Sequence, residues 1–202
     1  SYRPGVMKRL GLDYEAVRAL NPSIVYASVT GYGQEGSRAQ LPGHDLNYQA
    51  ASGALSLSGR PDGRPEHVFG LPVADLCGAL YGLSSVMTAL FQRERTGLGQ
   101  HLDIAITDCL THWINPRIGA FQAHGISDLA SQREDVLNKP AYGVFTTADG
   151  RDITIGALED HFWKSLTRVL DLAPYDTDAY LAFDARANSA SEIRKLMAQR
   201  VA

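Results

Sequence analysis

The sequence predicts an α/β protein with a larger part, residues 1–125, and a smaller α+β part, residues 141–202. In the larger part, two strand-like segments rich in apolar and β-branched residues are separated by helical patterns, an alternation typical of α/β folds. In the smaller part, a hairpin pattern precedes one amphipathic helix. The polar stretch between them, residues 126–140, is predicted to be a linker.

The elements of the larger part follow from start and stop signals along the chain. A short helix must end at Asn21-Pro22, and the nearly uncharged pattern before Gly97 is too long for a strand. We expect, in chain order, a helix over 13–20, a buried strand over 24–30, a helix over 45–57, a surface loop over 59–65, a buried helix over 74–94, a strand over 100–106 and an apolar helix to about residue 125.

The smaller part shows the pattern of a hairpin and a helix. Strand patterns over 142–147 and 153–157 flank the turn sequence Ala-Asp-Gly-Arg. The helix predicted over 159–170 places its apolar side chains on one side, and these are Phe162, Trp163, Leu166, Val169 and Leu170.

Composition argues against several classes of function. Hydrophobic residues make up 45% of the chain and charged residues 20%, an ordinary balance for a globular protein. The formal net charge is −3 with both signs scattered, so we expect no nucleic-acid partner. We expect no membrane span, because apolar runs are interrupted before the roughly 20 residues that cross a bilayer. The first residues do not resemble a signal peptide, so a cytoplasmic location is expected.

Cysteine and histidine spacing gives no signal for a metal site. Cys77 and Cys109 lie in apolar surroundings without the close Cys or His neighbours that zinc requires, which fits a reducing compartment. Apart from His44, the histidines that show no i, i+4 pairing with one another are His67, His101, His112, His124 and His161.

The segment GYGQEG, residues 31–36, formally matches the glycine fingerprint of dinucleotide-binding proteins directly after a strand. Such a site needs a helix that opens at the glycines, so that its N-terminal N–H groups hold the pyrophosphate. Here Pro42-Gly43 follows without an apolar helical period, so the sequence argues against nicotinamide binding.

Three titratable side chains stand out as candidates for chemistry. Asp75 is the lone charge at the start of the long apolar helix. It is interpreted as a helix cap, as a carboxyl group whose pKa is raised by burial, or as a nucleophile. His44 lies between a Pro-Gly turn and a helix start, either facing a ligand or paired locally with Asp45, the expected cap. Glu159 precedes the helix of the smaller part, where the helix dipole favours an acid.

Four segments together resemble the class III CoA-transferase (CaiB-BaiF) family. They are YRPGVMKRLGLDYEAV from Tyr2, GHDLNYQAASG from Gly43, PVADLCG from Pro72 and RTGLGQHLDIAITD from Arg95. A fifth, TADGRDITIGALEDHFW from Thr147, resembles the 2-methylacyl-CoA racemase branch of that family. Many racemases of this branch carry Gly-Gly-Ala-Pro before the hairpin, where this chain has Val-Leu-Asn-Lys-Pro over residues 136–140.

The resemblance implies a Rossmann-like large domain that binds CoA, followed by a small α+β domain, in a homodimer of two interlocked chains. It also implies βαβ segments before Tyr2 and a return to the large domain after Ala202, so the sequence is expected to be an internal piece. Arg3 would contact a CoA phosphate, and Asp45 and Tyr48 would lie near the pantetheine arm or the thioester. The only cofactor implied is coenzyme A, as part of an acyl-CoA substrate.

Residue by residue, the resemblance places the family's catalytic carboxylate at Asp75. In the transferases this carboxylate forms a mixed anhydride with the acyl group and then an aspartyl-CoA thioester. In racemases the same aspartate pairs with a histidine, here His44, opposite a glutamate, here Glu159.

Three functions remain open at the level of sequence. The leading interpretation is racemase-type proton transfer at C2 of a 2-methylacyl-CoA, because inverting that carbon needs a base on one face and an acid on the other. The alternative is transfer of CoA between carboxylic acids through Asp75. The third is a CoA-binding fragment without catalysis.

Overall fold

The computed structural model describes residues 2–59, 63–67 and 70–202, and the chain forms two compact units, residues 1–129 and 130–202. The first unit contains α1 (Val6–Arg9), α2 (Tyr14–Leu20), β1 (Val25–Thr30), α3 (Asp45–Ser52), α4 (Val73–Thr96), β2 (Gln100–Ala105) and α5 (Ile106–His124). Helix α6 (Leu129–Leu137) begins at the boundary. The second unit continues with β3 (Tyr142–Thr146), β4 (Asp152–Gly156), α7 (Asp160–Leu170), α8 (Phe183–Asn188) and α9 (Ala190–Val201).

The first unit is built around a parallel pair of strands. β1 and β2 pair in a register that runs from Val25 opposite Gln100 to Thr30 opposite Ala105. Parallel strands need a crossover connection, and α3 and α4 lie within that connection. Helix α4 packs against both strands and against α5. The α/β fold class predicted from the sequence is confirmed.

Local start and stop signals locate most element ends. The Asp13 carboxylate accepts a hydrogen bond from the Ala16 N–H at 3.4 Å and so caps α2, and Gly97 ends α4 with a φ of 71°. The single helix predicted over 45–57 is interrupted at Gly53, whose φ is 86°, and continues as a 3₁₀ turn over Ala54–Leu57. Of the loop predicted over 59–65, residues 60–62 lie outside the described residues.

The prediction of a buried helix is wrong for one face of α4. The inward face carries small residues, including Ala74, Cys77 and Gly78, that pack near the strands. The outward face carries large apolar side chains that are 48–62% exposed, namely Leu76, Leu80, Leu83, Met87 and Phe91. An apolar pattern identifies the helix, but burial also requires neighbours on every side. Here the neighbours of α4 are the two strands, α3 and α5, and they leave its outward face uncovered.

Helix α4 also corrects the expectation that no segment has the length and composition of a membrane span. Within the part of the chain that the structure describes, α4 is the one helix long and apolar enough to cross a bilayer. Asp75 and the glycines do not interrupt the helix. One such helix is weak evidence for a membrane span, because core helices of water-soluble proteins pass the same test.

The second unit contains the predicted hairpin and amphipathic helix. β3 and β4 pair antiparallel, from Tyr142 opposite Gly156 to Thr146 opposite Asp152. Trp163 of α7 is buried, whereas Phe162 and Val169, predicted to share its apolar side, are 50% and 79% exposed. The shared core of this unit consists of Ala141, Phe145, Ala157, Trp163, Leu172, Ile193 and Met197.

The segment predicted as a linker contains helix α6. Its sequence, LASQREDVL, lacks proline and glycine, so nothing in it opposes a helix even though most of its side chains are polar. The assignment of residues 1–125 and 141–202 to a large CoA-binding domain and a small domain stays a prediction.

Two helical glycines, one in α4 and one in α5, provide a matched test of how these two helices pack against each other. We expect Gly119→Ala to raise the free energy of unfolding by about 0.5–1 kcal/mol, because alanine has the higher helix propensity and a Cβ there meets no atom of the described residues within 4 Å. Gly78→Ala should lower it instead, because its Cβ would lie 2.7 Å from Cγ1 of Ile106. Urea denaturation measures both, and equal gains for the two variants would contradict the α4–α5 packing.

Candidate active site

Four of the six residues singled out in the sequence lie together where β1 ends and where α3 and α4 begin. They are His44, Asp45, Tyr48 and Asp75, and they are linked by hydrogen bonds or by electrostatic influence on one another's titration. In open α/β sheets, ligands bind beyond the carboxyl ends of the strands, which is where this cluster lies.

Asp45 joins the two helices of the site. Its Oδ1 accepts hydrogen bonds from the backbone N–H groups of Ala74, at 2.7 Å, and Asp75, at 3.1 Å. Its Oδ2 accepts a hydrogen bond from Nε2 of Gln49, which is buried, at 2.5 Å. The first N–H groups of a helix have no partner within the helix, so the side chain of Asp45 caps α4 although it belongs to α3.

His44, rather than Asp45, is the N-cap residue of α3, which corrects the sequence expectation. Its backbone N–H donates to the side-chain oxygen of Asn47 at 3.0 Å, which fixes the backbone at the start of the helix. The imidazole is exposed. It lies close enough to Asp75 for its positive charge to lower the pKa of that carboxyl group.

Asp75 is the third residue of α4 and is exposed, whereas the N-cap position is occupied by Pro72. The interpretation of Asp75 as a helix cap is therefore wrong. Partial removal from water raises the pKa of Asp75 above its usual value of 3.8, and the negative charge of Asp45 raises it further. The charge of His44 opposes both effects. The carboxyl group thus titrates between a like charge and an opposite one.

The Tyr48 ring fills a space that two glycines leave open. A Cβ on Gly31 or on Gly43 would overlap the ring of Tyr48. The Tyr48 hydroxyl donates to the carbonyl oxygen of Gly43 at 2.7 Å, and the Tyr32 ring packs edge-on at 5.3 Å between centroids. Burial raises the pKa of Tyr48, and the charges of Tyr32 and Asp75 add to the rise.

Sequence reasoning missed Gly31, Tyr32 and Gly43 as parts of the site. The signal was the Gly-Tyr-Gly run directly after the strand, which was interpreted only as a match to a dinucleotide fingerprint. In the structure no helix opens within residues 31–44. The backbone N–H groups of Gly33 and Gln34 donate instead to side chains of the two strands, Oγ1 of Thr30 and Oδ2 of Asp103. This geometry differs from that of a dinucleotide-binding turn.

Arg3 is not brought into the cluster. It lines a cavity of about 400 Å³ together with Lys8 and an aromatic group in which the rings of Tyr14 and His101 stack at 5.2 Å. The wall of this cavity, as far as the described residues form it, contains none of the four clustered residues.

Glu159 belongs to the second unit, where it is the N-cap residue of α7 and is exposed. Its carbonyl oxygen accepts a hydrogen bond from the N–H of Trp163 at 2.9 Å. The next residue, Asp160, forms an ion pair at 3.2 Å with Arg186, whose side chain is buried. This pair anchors the first turn of α7 and leaves the Glu159 carboxyl group in solvent.

The cysteines are free and buried, and burial raises the pKa of Cys77 to about 11. A thiol with this pKa is almost wholly protonated at neutral pH and is a poor nucleophile or metal ligand. Among residues 2–59, 63–67 and 70–202, no group of three or more His, Cys, Asp or Glu side chains is arranged to hold a metal ion.

The fold and the cluster together define an α/β protein with a carboxyl group, an imidazole and a phenol at the carboxyl end of a parallel strand. The family model for CoA-transferase family III matches residues 1–202. The chain belongs to this family, as the resemblance of its motifs predicted.

Named relatives include both transferases and racemases. The chain is 35% identical over 178 residues to the acetyl-CoA:oxalate CoA-transferase of Acetobacter aceti, covering 88% of this chain and 45% of that protein. It is 32% identical over 190 residues to the alpha-methylacyl-CoA racemase of Homo sapiens, and the match covers 91% of this chain and 48% of that protein.

Among solved structures, a CAIB/BAIF family protein from Brucella suis matches with a TM-score of 0.78 at 29% identity, covering 99% of this chain and 52% of that one. This chain thus spans about half the length of the curated relatives it matches.

The helix cap supplied by Asp45 can be tested by substitution. We expect Asp45→Ala to lower the free energy of unfolding by about 1–2 kcal/mol, because the N–H groups of Ala74 and Asp75 lose their acceptor. Asp45→Asn keeps an acceptor oxygen and should cost clearly less. Urea denaturation measures both, and an equal cost for the two variants would show that the cap has no stabilising role.

The titration of Asp75 tests the electrostatics of the site. We expect its carboxyl carbon, followed by NMR, to titrate above pH 3.8, because burial and Asp45 raise the pKa. Asp45→Asn should lower the midpoint and His44→Gln should raise it, because the charge of Asp45 raises the pKa of Asp75 and the charge of His44 lowers it. Opposite shifts would refute the arrangement of the three groups.

The same raised pKa predicts a pH dependence of stability. Because the pKa of Asp75 is higher in the folded state than its usual value of 3.8, its contribution to stability is full below that pH and is lost as pH rises through the folded-state pKa. We therefore expect Asp75→Asn to raise the melting temperature relative to the unaltered protein at pH 7 but not at pH 3. A difference at both pH values would assign the effect to something other than ionisation.

Proposed function

We propose that the protein moves a proton at C2 of a 2-methylacyl-CoA and thereby inverts that carbon. The observation that carries this proposal is the gathering of His44, Asp45 and Asp75 at the carboxyl end of a parallel strand, with His44 close enough for its charge to act on the Asp75 carboxyl group. A general base needs a lone pair within reach of the proton, and an imidazole paired with a carboxylate supplies one.

The proposed reaction breaks and re-forms one C–H bond. The His44–Asp75 pair takes the C2 proton, and the bonding electrons move into the C1–C2 bond while the carbonyl electrons move onto the thioester oxygen. An acid on the opposite face then returns a proton to C2, and Glu159 is the proposed acid. Reversing these roles converts the other enantiomer, which is what a two-base racemase requires.

The electrostatics support a proton-transfer role for Asp75. A catalytic acid or base is most effective when its pKa lies near the working pH, and burial and Asp45 move the pKa of Asp75 in that direction. The likeness to the human alpha-methylacyl-CoA racemase and the motif around Glu159 support the same reaction.

Substrate recognition belongs to the same proposal. Arg3 and Lys8 place two cationic side chains in the wall of the 400 Å³ cavity, where they could meet the phosphates of coenzyme A, the only cofactor proposed. Because the chain spans about half the length of its relatives, the activity proposed is that of the whole protein. A homodimer and a cytoplasmic location without nucleic acid or membrane partners complete the proposal.

Transfer of CoA between carboxylic acids is the second candidate. Asp75 is exposed, as a nucleophile that must meet a thioester would be, and the likeness to the acetyl-CoA:oxalate CoA-transferase supports this reaction. In that case the Asp75 carboxylate would attack C1, and the CoA thiolate would leave. The thiolate would then attack the Asp75 carbonyl carbon, which would release the acid and leave an aspartyl-CoA thioester.

Incubation of a 2-methylacyl-CoA with the full-length protein in heavy water tests the first candidate. We expect deuterium to enter C2 of either enantiomer, and Asp75→Asn or His44→Gln to slow this exchange by about 10²- to 10⁴-fold. Glu159→Gln should slow exchange from one face more than from the other. Glu94→Gln, near the opposite end of α4 from Asp75, is the control and should leave the rate unchanged.

Covalent trapping separates the remaining functions. A transferase should form an Asp75 adduct that hydroxylamine intercepts, should require an acceptor carboxylate and should leave C2 unlabelled. An adduct without deuterium would therefore reject the racemase proposal in favour of transfer. Acyl-CoA binding with neither adduct nor deuterium would identify a protein that binds CoA without catalysis.

A further inference from the structure

We infer that Gln49 is a positioning residue for Asp75 and that it acts through the carboxylate of Asp45. The inference rests on the proposed function, because Asp75 is its reacting group. Gln49 lies on α3 and is 8% exposed, so its side chain is directed into the protein and its amide requires a partner there.

The contacts form a continuous chain from α3 to the first turn of α4. Nε2 of Gln49 donates to Oδ2 of Asp45 at 2.5 Å, and Oδ1 of the same carboxylate accepts from the N–H groups of Ala74 and Asp75. A carboxylate held through one oxygen can still rotate about its Cβ–Cγ bond. Held through both oxygens it cannot, so Gln49 fixes the plane in which Asp45 meets α4.

That plane matters because the first turn of a helix is held only by such external partners. Asp75 is in this turn, and its own N–H is one of the two groups that Asp45 holds. Without Gln49 the carboxylate would turn, the two N–H groups would be held less well, and the Asp75 side chain would move. A displacement of about 1 Å at a reacting group can cost as much as 100-fold in rate.

The groups that face the Asp75 carboxyl group include the charges of Asp45 and His44, both at the start of α3, and the phenol of Tyr48. Rotation of the Asp45 carboxylate changes the distance from its charge to Asp75. The pH dependence of the reaction should therefore change together with its rate, which a purely structural role for Gln49 would not produce.

The central variant is Gln49→Met in the full-length protein, which removes the donor and keeps a similar volume. We expect kcat for C2 deuterium exchange to fall by about 10- to 100-fold, KM for the acyl-CoA to stay within about twofold, and the pH profile to shift. The N–H groups of Ala74 and Asp75 should exchange faster with solvent. Gln92→Met is the control, because Gln92 accepts a hydrogen bond from Gln100 near the other end of α4.

Exchanging the donor and acceptor roles of the side chains at positions 49 and 45 tests the hydrogen bond between them. Gln49→Glu alone should repel the Asp45 carboxylate and lower kcat as Gln49→Met does. Combined with Asp45→Asn, it pairs a new donor with a new acceptor and leaves an oxygen for the two N–H groups of α4. We expect the double variant to recover most of the rate and of the amide protection that Gln49→Glu alone loses.

Several results would overturn the inference. One is an unchanged kcat and an unchanged pH profile in Gln49→Met. Another is a double variant whose rate and amide protection are no higher than those of Gln49→Glu alone. If Gln49→Met does not fold, the comparison of Gln49→Glu with the double variant decides. If the unaltered protein exchanges no C2 proton, the proposed function fails separately. The amide exchange of Ala74 and Asp75 then still decides whether Gln49 holds Asp45 in place. Faster amide exchange in Gln49→Met supports this role, and unchanged amide exchange refutes it.

Discussion

The carboxylate of Asp45 is the contact on which the arrangement of the site depends. It satisfies two N–H groups that α4 cannot satisfy within itself, and it does so from a different helix. The connection ties the start of α3 to the start of α4, and both starts lie beyond the carboxyl end of β1. His44 and Tyr48 belong to α3 or its cap, and Asp75 belongs to α4, so the hydrogen bonds of Asp45 determine their relative positions.

Signals that act within a few residues were predictable from the sequence. Pro22 and Gly97 mark the ends of α2 and α4, and the hairpin of the second unit follows from its turn sequence. Features that depend on distant neighbours were not predictable. The outward face of α4 has the composition of a buried helix, yet its exposure is decided by how few elements surround it. Helix α6 lies in a segment whose polarity alone suggested a linker.

The features of the site also divide into those that the sequence predicted and those that depend on distant neighbours. Asp75 was identified because a lone charge in an apolar run is conspicuous, and His44 because it lies between a turn and a helix start. The resemblance to the family added Tyr48. The cap that Asp45 provides could not be predicted, because its partners lie 29 and 30 residues away in the chain and approach only when α3 and α4 pack. Family membership, in turn, does not choose between two reactions that share one carboxylate. Our proposal of proton transfer draws on a further feature of this chain, the influence of the His44 charge on the Asp75 carboxyl group.

The close fit of the Tyr48 ring against Gly31 and Gly43 limits how this part of the molecule can change over evolutionary time. A side chain added at either glycine would displace the ring, and a smaller residue at position 48 would leave a void beside the strand end. Substitutions at positions 31, 43 and 48 must therefore occur together, because most single substitutions among them give a poorly packed protein. Related proteins that carry a larger residue at one of the two glycine positions should also carry a smaller one at the tyrosine position.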